Sequence, residues 1–162
     1  MGLQSLYWWI RKFRYNILNE IENRTITDKI IEFFLKCPLI DDKSPISADY
    51  IGDEIGTYSV DGSPSETILK TYVDGSTERQ LIFDFTSRES VEAYNNEKNI
   101  TFYEKLAEWV ETQNNEGVLP ELSYPLIAEQ IKVLTHGYVE QMSANKAIYV
   151  IQMKLVYTKI AE

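Results

Sequence analysis

The residues able to do covalent or metal chemistry are few. His136 is the only histidine and Cys37 the only cysteine. A Ser–His pair or a His-rich metal site would have only His136 to draw on. It precedes Gly137 inside or beside an expected strand, where a structural or surface role fits. Cys37 falls at the end of an apolar helical face, just before Pro38, and reads as a small buried hydrophobe. A lone cysteine allows no intramolecular disulfide and fits a reducing compartment. Carboxylates are the remaining chemistry. Pairs such as Glu92 with Glu97, or Asp84 with Glu89, are expected by chance among 25 acidic residues. Asp41, Asp42, Asp49, Asp53 and Glu54 make one loop acidic, but their spacing is not that of an EF-hand, so a solvated loop is expected. The chain has no Gly-rich phosphate loop, nucleophile elbow or Cys-x-x-Cys. No cofactor or metal is implied, and a carboxylate-only hydrolase is the single enzymatic reading that survives.

Bulk properties point the same way. A chain of 162 residues is most simply one domain, spanning 1–162. The net charge of −9 argues against binding to nucleic acid or anionic lipid, which need a basic surface. No apolar run reaches the roughly 18 residues a membrane span needs. Arg11, Lys12 and Arg14 follow the first apolar residues instead of preceding them, unlike a signal peptide. The 11 Tyr and 3 Trp favour a protein that packs against others.

These residues must be positioned by local elements. Leu3, Leu6, Ile10, Phe13, Ile17 and Ile21 share one face of an expected helix over 3–22. Trp8 and Tyr15 project near the other face beside Arg11 and Lys12, a basic aromatic surface suited to acidic patches on a neighbouring copy. A second helix is expected over 27–36, capped by Thr25 or Thr27, with Ile30, Phe33, Phe34 and Cys37 inward. Pro38 stops it.

Residues 39–55 read as an irregular acidic loop. A three-stranded antiparallel meander follows: one strand around Tyr58 and Val60, one from Ile68 to Val73, and one over about 78–87. Asp74-Gly75-Ser76 forms the tight turn between the last two. A polar stretch, Glu89–Lys98, leads to a helix starting at Thr101, with Phe102, Leu106, Trp109 and Val110 inward and Gly117 as its left-handed stop. Ile131–Gln141 and Lys146–Thr158 complete the sheet, the latter apolar on both faces and so internal. The expected fold is α+β in the order ααβββαββ, a mainly antiparallel central sheet of about five strands with helices packed on one side.

Residues 81–122 resemble the phage tail terminator, or head–tail joining, proteins, often labelled minor capsid proteins in Gram-positive prophages and phage-tail-like bacteriocins. The matching features are Phe83, Phe85 and Arg88, the helix with Tyr103, Glu104 and Trp109, then Gln113 and the exit Leu119-Pro120-Glu121-Leu122. Gln130–Tyr157, with Tyr149 and Tyr157, resembles the family's closing strand pair. The resemblance implies a homohexameric ring that caps the tail tube and ends its polymerisation. It implies as partners other copies of the chain, the tail tube protein and, beyond them, sheath and head or neck connector proteins. DNA would be passing cargo only, and no membrane is involved. The expected location is the virion or tail-like particle, assembled in the host bacterial cytoplasm. Another head-completion or neck adaptor of the same machine, or a monomeric adaptor, would share this composition. Candidate contact residues, for subunit or tube, are Trp8, Arg11, Lys12 and Tyr15, the hairpin tip Asp74, Gly75, Ser76 and Thr77, and Asp49, Asp53 and Glu54 of the acidic loop.

Overall fold

A computed structural model describes residues 25–162. The expected helix over 3–22, with Trp8, Arg11, Lys12 and Tyr15, lies outside the described residues.

Helix α1, Ile26–Leu35, begins at a reciprocal cap. Thr25 Oγ1 accepts from the Asp28 backbone N–H (3.2 Å), while the Thr25 N–H donates to the Asp28 carboxylate (2.9 Å). Two otherwise orphaned donors are satisfied, and the acidic side chain meets the positive end of the helix dipole. Ile30, Phe33 and Phe34 face inward, and Cys37 is buried just beyond the last turn. Burial pushes the Cys37 thiol above its ordinary value, partly offset by backbone hydrogen bonds at Leu39 and Ile40. The protonated thiol is a packing group.

Seven strands form one mixed sheet: β1 (Ile46–Ala48), β2 (Thr57–Ser63), β3 (Ile68–Thr71), β4 (Thr77–Ser90), β5 (Leu126–Val133), β6 (Tyr138–Met142) and β7 (Lys146–Lys159). Helix α2, Ala93–Asn115, lies between β4 and β5 in the chain. The expected five-stranded sheet and the order ααβββαββ are therefore corrected to seven strands in the order αββββαβββ among the described residues.

Each departure has a local cause. β1 is a three-residue strand within the supposed acidic loop, and it pairs parallel to β2. The expected fourth strand breaks at 134–137 into β5 and β6. Helix α2 starts eight residues earlier than Thr101, so Thr101 is no cap: its hydroxyl donates back to the Glu97 carbonyl (2.9 Å) inside the helix. The meander is also corrected, because β2 and β3 do not pair with each other; both pair with β4.

The sheet is organised around β4 and β7, antiparallel over 14 residues each from Thr77↔Lys159 to Ser90↔Lys146. The outer edge of β4 is shared lengthwise by β3 and β2, and that of β7 by β5 and β6. Both described helices pack on the face bearing Phe83, Phe85, Ile151, Met153 and Leu155, all fully buried. The opposite face is mixed, with Val150 and Val156 buried beside polar side chains. Asp61 and Asp84 are direct cross-strand partners there, an arrangement that like charge disfavours. Hydrogen-bond donors offset it: Ser59 and Thr86 donate to Asp61 (2.8 and 3.0 Å), and Ser63 and Gln152 donate to Asp84 (3.2 and 3.1 Å).

Candidate functional site

The hairpin tip and the loop residues Asp53 and Glu54 sit at opposite ends of the long strands, while Asp49 lies level with the middle of β4. Over 14 residues a strand spans roughly 45 Å. At one end, Asp74–Thr77 makes the β3–β4 turn. Gly75 takes a φ of +88°, which its missing side chain permits. Asp74 accepts hydrogen bonds from the Ser76 N–H (2.9 Å) and hydroxyl (3.0 Å). Asp74 and Gly75 are exposed, but Ser76 and Thr77 are buried, and the Ser76 hydroxyl oxygen accepts from the Ala161 N–H (3.2 Å). The tip is thus anchored to the C-terminal segment and is not a wholly polar projection. The fully exposed residue at the tip is Val73.

At the other end lies the part of the acidic loop carrying Asp53 and Glu54, with Asp49 further back along β2. Asp49 adopts a φ of +52°, and its carboxylate accepts from the Gly62 N–H (3.0 Å), bracing β1 against β2. Asp53 and Glu54 expose their side chains and use their carbonyls as acceptors, from Lys146 Nζ (2.7 Å) and the Thr57 hydroxyl (2.8 Å). Arg88 donates from Nε to the Gly52 carbonyl (2.7 Å), so the arginine after Phe83 and Phe85 is a clamp on this loop. The loop is built into the fold and leaves the rim carboxylates, with Tyr50 and Ile55, exposed for a partner.

A surface that the sequence reading had assigned to strand formation alone is more prominent. Ile68, Leu69, Tyr72 and Val73 are all exposed on the β3 arm. A second exposed set, Tyr138, Val139 and Met142, lies on β6. β3 flanks β4 and β6 flanks β7, so the two sets occupy opposite lateral edges of the sheet. No local pattern in the sequence signals the exposure of the first set.

Between α2 and the β5–β6 edge run two adjoining clefts, of about 370 and 380 Å³, that share Ala107. Val110, Ile131, Tyr103 and Ile151 help form their floor. Glu104, Glu108 and Glu111 stand exposed along the helix rim. Gly137 sits hard against Tyr103: a Cβ added there would lie 2.6 Å from the ring. The Tyr103 ring cannot retreat, because it stacks on Tyr149 (5.8 Å between centroids) and its hydroxyl bonds with Ser87 and the Tyr149 carbonyl. Gly137→Ala should therefore cost about 1–3 kcal/mol, seen as a lower midpoint in urea unfolding with an unchanged slope.

The neighbouring polar groups are tuned by burial. It pushes the Tyr103 hydroxyl upward, partly offset by the Ser87 hydrogen bond. Burial, with Glu89, Asp41 and Cys37 adding to it, pushes Tyr58 up to about 12. Both phenols stay neutral hydrogen-bonding groups at physiological pH. Burial also raises the Glu89 carboxyl above its ordinary value near 4.5, with a Ser87 hydrogen bond partly opposing. The folded state then holds the Glu89 proton to higher pH than the unfolded chain does. Its contribution to stability is complete below the ordinary value and is lost as pH rises through the raised one. Thermal unfolding followed across that window should show this decline, and Glu89→Gln should flatten it.

His136 lines the cleft beside Gly137, and among the described residues no group of three or more His, Cys, Asp or Glu could hold a metal ion. No protein-family model matches this chain, and no curated protein matches it. Among the described residues, no helix is long and apolar enough to cross a membrane.

Proposed function

We propose that the chain is a structural assembly protein that closes into a homohexameric ring on the end of a phage or phage-tail-like tube, ends tube polymerisation and forms the joint to the head or neck. The observation that carries this reading is the pair of exposed apolar strands, β3 and β6, on opposite edges of one sheet. A cyclic ring needs a heterologous contact in which two different patches of each copy meet. Patches on opposite edges let each copy contact one neighbour with β3 and the other with β6. A sheet roughly 45 Å long also offers two separate ends, one for the tube and one for the connector. The turn at Asp74–Thr77 and the rim carboxylates Asp53 and Glu54 mark those ends.

The resemblance carried by Phe83, Phe85, Arg88, Tyr103, Glu104 and Trp109 supplies the family reading. In the fold these residues are mainly scaffold: two buried strand aromatics, a loop clamp, a buried tyrosine and a tryptophan packed on Phe33. Mixing the purified chain with tail tube protein from the same particle and viewing the tube ends by electron microscopy tests the reading. Six-fold density on one end of each tube is expected. Tubes with bare ends, or the chain spread along their length, would contradict it.

A further inference from the structure

The groove between α2 and the β5–β6 edge joins three features that point to one occupant. Its floor is apolar, with Val110, Ile131, Tyr103 and Ile151 contributing. Its helix rim carries Glu104, Glu108 and Glu111, spaced i, i+4 and i+7, a stripe about 10 Å long. None of these three carboxylates has an ion-pair partner among the described residues. The strand-side wall includes His136, while Lys132 shares the register of Lys154 on the opposite face of the sheet, so the charge of the groove is the negative charge of its helix side. A fitting partner is a helical segment whose aromatic anchors are flanked by basic side chains.

The chain carries such a segment. Trp8 and Tyr15 are seven residues apart, with Arg11, Lys12 and Arg14 between them. At helical spacing those seven residues cover the same length of about 10 Å. We infer that this groove binds the segment around Trp8–Tyr15 of a second copy of the chain, aromatics over the apolar floor and basic side chains along Glu104, Glu108 and Glu111. Two observations favour a second copy. Helix α1, which follows the segment in the chain, packs on β1, β2 and the Trp109 side of α2, whereas the groove opens on the other side of α2. The groove also adjoins the β6 edge bearing Tyr138, Val139 and Met142, the proposed inter-copy contact. The inference deepens the self-assembly part of the proposed function and rests on it, but not on tube capping.

The test uses the full-length protein with p-benzoylphenylalanine in place of Trp8, mixed with an excess of uniformly nitrogen-15-labelled protein and irradiated. Light–heavy crosslinks onto 104–111 or 130–137 are expected. The triple charge reversal R11E/K12E/R14E should lower their yield about tenfold, as the loss of three exposed ion pairs implies. Adding E104K/E108K/E111K to the same chain should restore it. Crosslinks confined to the same chain, crosslinks elsewhere on the protein, no crosslinks, or a yield indifferent to charge reversal would each overturn the inference. Light–heavy crosslinks from a protein that never caps a tube would uphold the docking and remove the capping reading, so the two failures are distinguishable.

Discussion

Phe34→Ala is expected to be the most destabilising single truncation, costing about 3–5 kcal/mol. The Phe34 side chain is fully buried. Its ring contacts Phe85 at 4.8 Å, Phe33 at 5.2 Å, Trp109 at 6.1 Å and Phe83 at 6.2 Å between centroids. It thus joins α1, α2 and the centre of β4 at one point. Truncation removes the transfer energy of the ring and leaves a cavity that four large neighbours, themselves held by strand pairing and helix packing, cannot collapse to fill. For a chain of this size the melting temperature should fall by roughly 10 °C or more. Leu35→Ala is the control: Leu35 is exposed and adjacent, so the change should be within about 0.5 kcal/mol. Equal effects from the two variants would mean that α1 is not docked as described.

The second large effect concerns assembly with the fold intact. Replacing Tyr72 and Val73 together by Asp places two charges on the exposed β3 arm. Val73 is fully exposed and Tyr72 is partly so, donating a hydrogen bond to Glu78 (3.1 Å) and lying beside Lys70. Little core energy is at stake, so urea unfolding should shift by no more than about 1 kcal/mol. In the proposed ring, by contrast, two uncompensated charges enter an apolar contact in every interface. Each such burial costs several kcal/mol, and a closed ring repeats it at every joint. Six-fold end caps should disappear from tubes mixed with this variant. The control Leu35→Ala, at an exposed position of α1 outside the proposed contacts, should retain capping. Normal capping by the Tyr72 and Val73 variant would exclude the β3 arm from the subunit contact.

Legibility in the sequence followed the strength of local pattern. Helix α1 was readable because Ile30, Phe33 and Phe34 repeat at helical spacing between a Thr25–Asp28 cap and Pro38. β7 was readable because its centre is apolar on both faces, as a strand flanked on both sides and covered by helices must be. β1 was not, because three residues carry no period and its pairing partner is in another segment. The first turns of α2 were hidden by the polar run before Thr101, which carries no apolar helical period. The break between β5 and β6 had a signal in His136-Gly137, but its reason is the Tyr103 ring pressed against Gly137, a long-range contact.

The candidate surfaces divide similarly. The Asp74-Gly75 turn was legible from its backbone requirement. The burial of Ser76 was not, since its partner Ala161 lies 85 residues away. The acidic loop was legible as charge, but not as a structure held by Arg88 and Lys146. Exposure of Ile68, Leu69, Tyr72 and Val73 depends on where the helices end over the sheet, which no local pattern encodes.

The central claim is that this chain ends tube growth. The direct measurement is the length distribution of tubes formed when tail tube protein polymerises with and without the chain, followed by electron microscopy as the ratio of the two proteins is varied. The account predicts progressively shorter tubes as the chain is added, each carrying one terminal ring. Lengths independent of the chain's concentration would contradict it.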